Sequence, residues 1–464
     1  MTGSATFAKL PQMQIPVEQS CFWLATRNAD RHTVSLKGAQ KADVTIIGAG
    51  FTGLWTAFFL RQLDANLNIA VVEQGCTGYG GSGRNAGMIS ACIDHSHALA
   101  MKHFGAAEAA RLAQIGLANI DELSAFAQDC DLERSGHLHV ALNDDQVEEC
   151  RRLVDTADKL NLPGYKFLPA QETRDELNSP LYAGSAYAPG GGIVNPLKLI
   201  DKIHTHLLET GVHIYERSKV ISVEKNCVRT EAGLLATEKI VLATDSYSHH
   251  LFPGLLHYFV PLYDYVLVSQ PLTDNELNTI GWSNRQGITD GRNFFNYYRL
   301  TADNRVLWGT SEAMYYKGNK VEASCDHSPA HYTALKQSFV RHFPQLSHLS
   351  FPFAWGGPIA STTRLTPFFG TLNSGSVYYA LGYTGHGIGT TRLAGKILAH
   401  MVTAKHSELL DLQMARKKPL PYPPEPLRQI AVNLVTRSLK RVDDGTKPDL
   451  LLHLLDLAGI GFSS

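Results

Sequence analysis

Apolar residues in this chain change rhythm several times. Two short apolar runs, Asp43–Ile47 and Asn68–Glu73, read as strands with a helix between them. Residues 106–129 place Ala109, Leu112, Ile115, Leu123 and Phe126 at helical spacing, and residues 144–160 do the same with Val147, Leu153 and Leu160. Both predict amphipathic helices, and Gly136–Leu142 between them predicts a strand. Pro196–Thr210 predicts a further helix, capped by Asn195, with Pro196 at its first position and Gly211 as its stop. The strands Val212–Tyr215 and Lys239–Thr244 follow. Residues 257–312 read mostly as strands and turns, residues 328–342 as a helix, and residues 356–389 as a glycine-rich region. The run Lys418–Pro426 marks a linker, and beyond it lie amphipathic segments at 427–441 and 448–458. These two segments are expected to dock on the body, with a partner or dimer surface as the alternative. Strand-rich and helical blocks interleave, and no internal repeat is found.

The turn between the first two strands carries chemistry. Gly48, Gly50 and Gly53 fit G-x-G-x-x-G, and Glu73 ends the second strand twenty positions after Gly53. Gly48 makes a tight turn, Gly50 lets a pyrophosphate approach the backbone, and Gly53 packs the helix on the sheet. The helix N-terminus, with Phe51 and Thr52, offers free N–H groups and a positive dipole to phosphates. Glu73 is placed to accept a ribose hydroxyl, and Gln74 follows it. An acid at this position disfavours NADP and leaves NAD or FAD.

Composition narrows the picture. The chain has 464 residues, too many for one ordinary core, so two or more domains are expected. Forty-two basic residues balance 43 acidic ones, which points to neither nucleic acid nor an anionic membrane as partner. No apolar run approaches the roughly 20 residues of a membrane span. Residues 1–20 lack a basic stretch followed by an apolar core, so a cytoplasmic protein is expected. The seven cysteines are odd in number and form no C-x-x-C, and the 20 histidines are scattered. Neither a disulfide framework nor a metal site is expected.

Two more glycine sites follow. Gly78–Gly87 has four glycines within six residues, which lets backbone lie against a flat ligand. Gly80, Gly81, Ser82, Arg84 and Asn85 supply the contact surface and donors, and a plain NAD enzyme has no use for such a loop. Near the end, the strand Val377–Leu381 leads through Gly382, Gly385, His386 and Gly387 into a helix from about Ile388 to Met401. A second helix N-terminus there favours an electron-rich group such as a reduced flavin, by about 0.3–2 kcal/mol.

Taken jointly, the first fingerprint, Glu73, the Gly78–Gly87 loop and Gly382–Gly387 resemble the FAD-dependent amine and amino-acid oxidoreductases of the glycine, sarcosine and D-amino-acid oxidase type. Tyr79–Asn85 and the segment Tyr297–Arg305 are most like its gamma-glutamylputrescine oxidase branch, and the likeness spans roughly residues 20–405. It implies an α/β protein: a Rossmann-like FAD-binding domain interleaved with an α+β substrate domain carrying a mostly antiparallel sheet. The corresponding division is an N-terminal arm over 1–40, an FAD-binding domain over 41–98, 190–248 and 350–405, a substrate domain over 99–189 and 249–349, and a linker with helical tail over 406–464. It implies that Val220 meets the adenine and that Ala243-Thr244 lie near the cofactor, with Asp245 standing where the family has glycine.

The implied reaction is hydride transfer from a C–H beside an amine nitrogen to flavin N5, giving an imine that hydrolyses, with no dedicated base if the amine binds neutral. A gamma-glutamylated polyamine or related secondary amine is the expected substrate class. No cysteine or histidine matches a covalent attachment point, so non-covalent FAD is expected. Where the sarcosine-oxidase branch carries a lysine over the flavin, this strand reads Arg305-Val306-Leu307-Trp308, which leaves a dehydrogenase with a non-oxygen acceptor as the alternative. An NAD dehydrogenase would leave Gly78–Gly87 unexplained, and a non-catalytic flavoprotein assembling through its tail is a third class. The expected substrate residues are His386, Arg364 as a bidentate carboxylate holder, and Tyr298 and Trp355, with Tyr297, as walls of an amine pocket.

Overall fold

The structure is a computed structural model and describes residues 15–27 and 34–460; the remainder of the expected N-terminal arm, 1–14 and 28–33, lies outside the described residues. Its centre is a six-stranded sheet in the order Phe368–Leu372, Val377–Leu381, Lys239–Leu242, Val44–Ile47, Ile69–Val72, His213–Tyr215. All neighbours run parallel except the first pair. Every residue of Val44–Ile47 and Ile69–Val72 is buried: helices pack on one face of the sheet, and strands carrying Val220, Val228 and Leu235 pack on the other. The helix Phe51–Leu63 packs against Gly387–Thr403. Gly395 permits this approach, since a Cβ there would stand 2.7 Å from the Trp55 backbone.

An eight-stranded sheet forms the second layer, in the order Phe353–Ser361, Val260–Pro271, Arg305–Met314, Asn296–Leu300, Gly287–Asp290, His137–Ala141, Gly184–Ala188, Lys166–Pro169. It is antiparallel throughout except where Gly287–Asp290 pairs with His137–Ala141. The fold is therefore α/β with a mixed, largely antiparallel second sheet. A four-stranded sheet joins Gly38–Lys41 to the Val220–Ala236 meander.

The helices at Ala106–Phe126, Asp144–Lys159, Pro196–Glu209 and Pro329–His342 follow the sequence periodicity. The Asn195 side chain accepts from the N–H groups of Leu197 and Lys198, and Gly211 takes φ +81 at the helix end. One helix, Asp274–Ile280, interrupts the stretch read as strands; its Thr273/Glu276 capping box was the local signal for it. In the arm, Phe22 and Trp23 are buried. The tail helices Leu427–Asp443 and Leu450–Leu457 dock through Leu439 and Leu452. Among the described residues, no helix is long and apolar enough to cross a membrane.

Candidate functional site

Gly48 takes φ +104 at the end of its strand, and a Cβ there would lie 2.6 Å from the Ala243 carbonyl oxygen. At Gly53 a Cβ would lie 2.0 Å from the Gly48 carbonyl oxygen, so only glycine lets the helix sit on the turn. Ser82 touches this first turn: its Oγ accepts the Phe51 N–H at 2.9 Å. Glu73 accepts from the N–H groups of Ala49 and Gly75, each at 2.9 Å. Burial pushes its carboxyl above the ordinary range while those amides pull it down.

The second turn is held from several sides. Arg84 donates from Nε to the Tyr79 carbonyl at 2.8 Å, and its Nη1 pairs with Asp326 at 2.8 Å. Its Nη2 is buried without a hydrogen-bond partner among the described residues. Asn85 donates to the Gly81 and Ser82 carbonyls and accepts the Gly87 N–H. Trp23 donates its indole N–H to the Asn85 carbonyl at 2.8 Å.

The third turn is tied to the first. Thr52 Oγ1 donates to the Tyr383 hydroxyl at 2.8 Å, and the Gly382 N–H donates to Asp245 Oδ1 at 2.9 Å. Burial pushes the Asp245 carboxyl up to about 6 against the pull of the Gly382 N–H. Asp245 thus couples the Ala243-Thr244 segment to Gly382. His386 precedes the helix Gly387–Thr403, and its ring centre lies 4.7 Å from that of His95.

These turns border one cleft of about 2460 Å³, well above the roughly 300–1,000 Å³ of a drug-sized site. It is lined by Gly48, Gly50, Phe51, Thr52, Glu73, Gln74, Gly80, Gly81, Ser82, Arg84, Asn85, Val220, Ala243, Thr244, Gly385, His386, Gly387 and Ile388. Gly53 and Gly382 lie behind the wall and shape its backbone. At Gly382 a Cβ would meet Thr362 at 2.3 Å.

The eight-stranded sheet supplies another wall of the cleft, with His137, His139, Thr289, Tyr297 and Asp264. Thr289 Oγ1 lies 3.0 Å from both His137 Nε2 and His139 Nδ1. Burial pushes His95 and His137 well below the usual imidazole range, His139 down to about 4, and His386 down as well. At neutral pH these imidazoles are uncharged. The Tyr297 hydroxyl donates to Asp264 Oδ2 at 2.6 Å, and burial pushes the Asp264 carboxyl up to about 7.

Three expected substrate residues lie elsewhere. Arg364 is buried, and its guanidinium donates to the carbonyls of Lys417 (2.8 Å), Pro367 (2.8 Å) and Met414 (3.1 Å). The reversed turn at Leu365, with φ +60, lies between Arg364 and the Pro367 carbonyl, and the Met414 and Lys417 carbonyls come from the segment beyond the helix Gly387–Thr403, so the guanidinium clamps chain segments and holds no carboxylate. Tyr298 points to the opposite face of its strand from Tyr297, as alternation requires. It stacks on Trp308 at 4.2 Å inside the second core. Trp355 is fully buried and donates its indole N–H to the Arg84 carbonyl at 2.8 Å, a support under the second turn. Asp264, His95, His137, His139 and Thr289 were not singled out from sequence. Only the polar alternation His137-Leu138-His139 was visible there.

The chain belongs to a family of FAD-dependent flavoenzymes: the family model described as FAD dependent oxidoreductase matches residues 43–401. It is thus an FAD-dependent oxidoreductase. Among curated relatives it is 27% identical over 436 residues to the probable oxidoreductase OrdL of Haemophilus influenzae, covering 91% of this chain and 96% of that one. It is also 27% identical over 391 residues to the gamma-glutamylputrescine oxidoreductase of Escherichia coli, covering 82% of this chain and 88% of that protein. The solved L-proline dehydrogenase of P. horikoshii shares the fold, with a TM-score of 0.66 at 18% identity over 80% of this chain and 96% of that chain.

Proposed function

We propose that the protein oxidises the C–N bond of an amine or amino acid, with FAD held non-covalently by the three glycine turns. The carrying observation is that these turns and the wall of histidines and Asp264 border a single cleft. The cradle suits a dinucleotide on two grounds. Side chains are excluded at Gly48 and Gly53, and Arg84 keeps a buried donor atom unpartnered. In this reading Glu73 accepts a ribose hydroxyl, Val220 meets the adenine, and Gly80–Asn85 and Gly385–Ile388 lie along the flavin. When bound, FAD supplies the hydride acceptor for the C–H beside the amine nitrogen, and the imine released hydrolyses in water.

The residues of the chain position the amine and manage its proton. Neutral His95, His137, His139 and His386 do not repel an incoming ammonium. The Asp264 carboxyl, pushed up to about 7 by burial and bonded to Tyr297, is suited to hold the proton lost when the ammonium becomes a free amine. A gamma-glutamylated polyamine or related secondary amine is the substrate class we favour, on the likeness to the Escherichia coli enzyme. A dehydrogenase with an acceptor other than oxygen is the alternative, because the strand Arg305–Met314 carries no lysine.

The test is anaerobic titration of the yellow holoenzyme with gamma-glutamylputrescine, sarcosine, glycine and simple diamines. Bleaching by at least one of them is expected, with the flavin recovered in the supernatant after acid precipitation. A flavin that none of them bleaches overturns the assignment.

A further inference from the structure

The family match ends at residue 401, yet the cleft continues under residues beyond it. The helix Leu427–Asp443 turns Val432, Val435, Leu439 and Val442 toward the cleft. Their spacing of three, four and three puts them in one apolar stripe on a single helical face. All but Leu439 are only half-buried, so the stripe borders open space and not a filled core.

The tail is tied to two separate parts of the cleft rim. At one, Asp443 accepts from the N–H groups of Asn293 (2.7 Å) and Phe294 (2.9 Å) and from Asn293 Nδ2 (2.8 Å), and Lys440 pairs with Glu312. That turn joins the two strands that present Thr289 and Tyr297 to the cleft. At the other, Lys102 pairs with Asp456 at 2.5 Å, and His103 Nε2 lies 2.9 Å from the Gly459 carbonyl. Both belong to the helix His97–Phe104, whose His97 also lines the cleft. Buried Arg428 fixes the root by donating to Asn319 Oδ1 (2.9 Å) and to the Leu256 carbonyl (2.7 Å). A segment fixed at its root and at both rim sites spans the opening between them.

We infer that this tail is the specificity wall of the amine site: its valine–leucine stripe receives the hydrocarbon portion of the substrate. The inference rests on the amine-oxidising reading. It predicts preference for amines carrying several methylene groups over compact ones, by roughly fourfold in affinity per buried methylene.

Full-length holoenzyme is titrated anaerobically with n-alkylamines from methyl to hexyl, and binding is read from perturbation of the flavin spectrum. Iodide quenching of flavin fluorescence reports access to the cleft. In the wild type, Kd should fall about fourfold per methylene over the longer chains. Val435→Glu should flatten that slope, and the milder Val435→Ala should make it shallower. Asp443→Ala should raise the iodide quenching constant at least twofold and speed tryptic cleavage at Arg437, with an unchanged circular dichroism spectrum. A wild type with no chain-length slope overturns the wall even if amines bleach the flavin. So does a folded Asp443→Ala protein with unchanged quenching and cleavage. A clear slope with a flavin that no amine bleaches would instead keep the wall and remove the oxidation.

Discussion

Asp264 and Tyr297 sit on strands that are not neighbours, with Arg305–Met314 between them. They meet because Gly309 lies beneath the tyrosine ring, where a Cβ would stand 2.2 Å from Tyr297 Cζ. Asp264 also falls at the irregularity between Tyr263 and Tyr265, where the pairing register shifts. Burial then raises its carboxyl from 3.8 to about 7, so the folded state binds the proton more tightly than the unfolded one. The sign follows from linkage: the contribution to stability is fully present below about pH 3.8, declines as pH rises, and is gone above about pH 7. Asp264→Asn should therefore flatten the fall of Tm between pH 4 and 7. Parallel Tm–pH curves for variant and wild type would show that Asp264 ionises normally. Tyr297 was legible as a candidate wall, but its partner was not, since nothing local links positions 264 and 297.

At the scale of elements, the strand–turn–helix fingerprint behaves as its spacing requires. The helix Phe51–Leu63 rests on Gly48 with no room for one more carbon at Gly53. Gly53→Ala should push the helix off the turn and cost roughly 1–3 kcal/mol from overpacking. The expected outcome is protein purified with less than half its flavin, read as the ratio of absorbance at 450 to 280 nm. Full occupancy would show that the turn yields more easily than its contacts imply. Strands and caps of this kind are legible because periodicity and cap chemistry are local. The helix Asp274–Ile280 is hard to see in the sequence because seven residues span too short a period, and only its Thr273/Glu276 cap marks it locally.

At the scale of the molecule, Arg84 and Asp326 join the second glycine turn to the segment that follows the strand Arg305–Met314, and Asp326 also lines the cleft. Their side chains are only 1% and 11% exposed. Burial raises the Asp326 carboxyl while Arg84 opposes the rise. Removing one partner strands a buried charge, which typically costs 3–5 kcal/mol. Asp326→Ala should lower Tm by several degrees and weaken flavin retention at once. Replacing both partners, as Arg84→Met with Asp326→Leu, should recover part of the Tm without recovering flavin. Equal loss of Tm in the single and double variants would show that the pair acts independently of burial.

The glycine spacings, the terminal acid Glu73 and the helix caps could be read directly from the chain, because each depends on a few consecutive residues. They were enough for the cofactor class and the parallel strands that carry it. Which polar side chains share the cleft was settled only by long-range packing. Strand alternation turned Tyr298 inward and Tyr297 outward, chain packing spent Arg364 on backbone carbonyls, and sheet order brought His137, Thr289 and Asp264 to one wall. Those outcomes depend on contacts between separate elements, such as Arg364 with Lys417 and His137 with Thr289, and no local pattern encodes them.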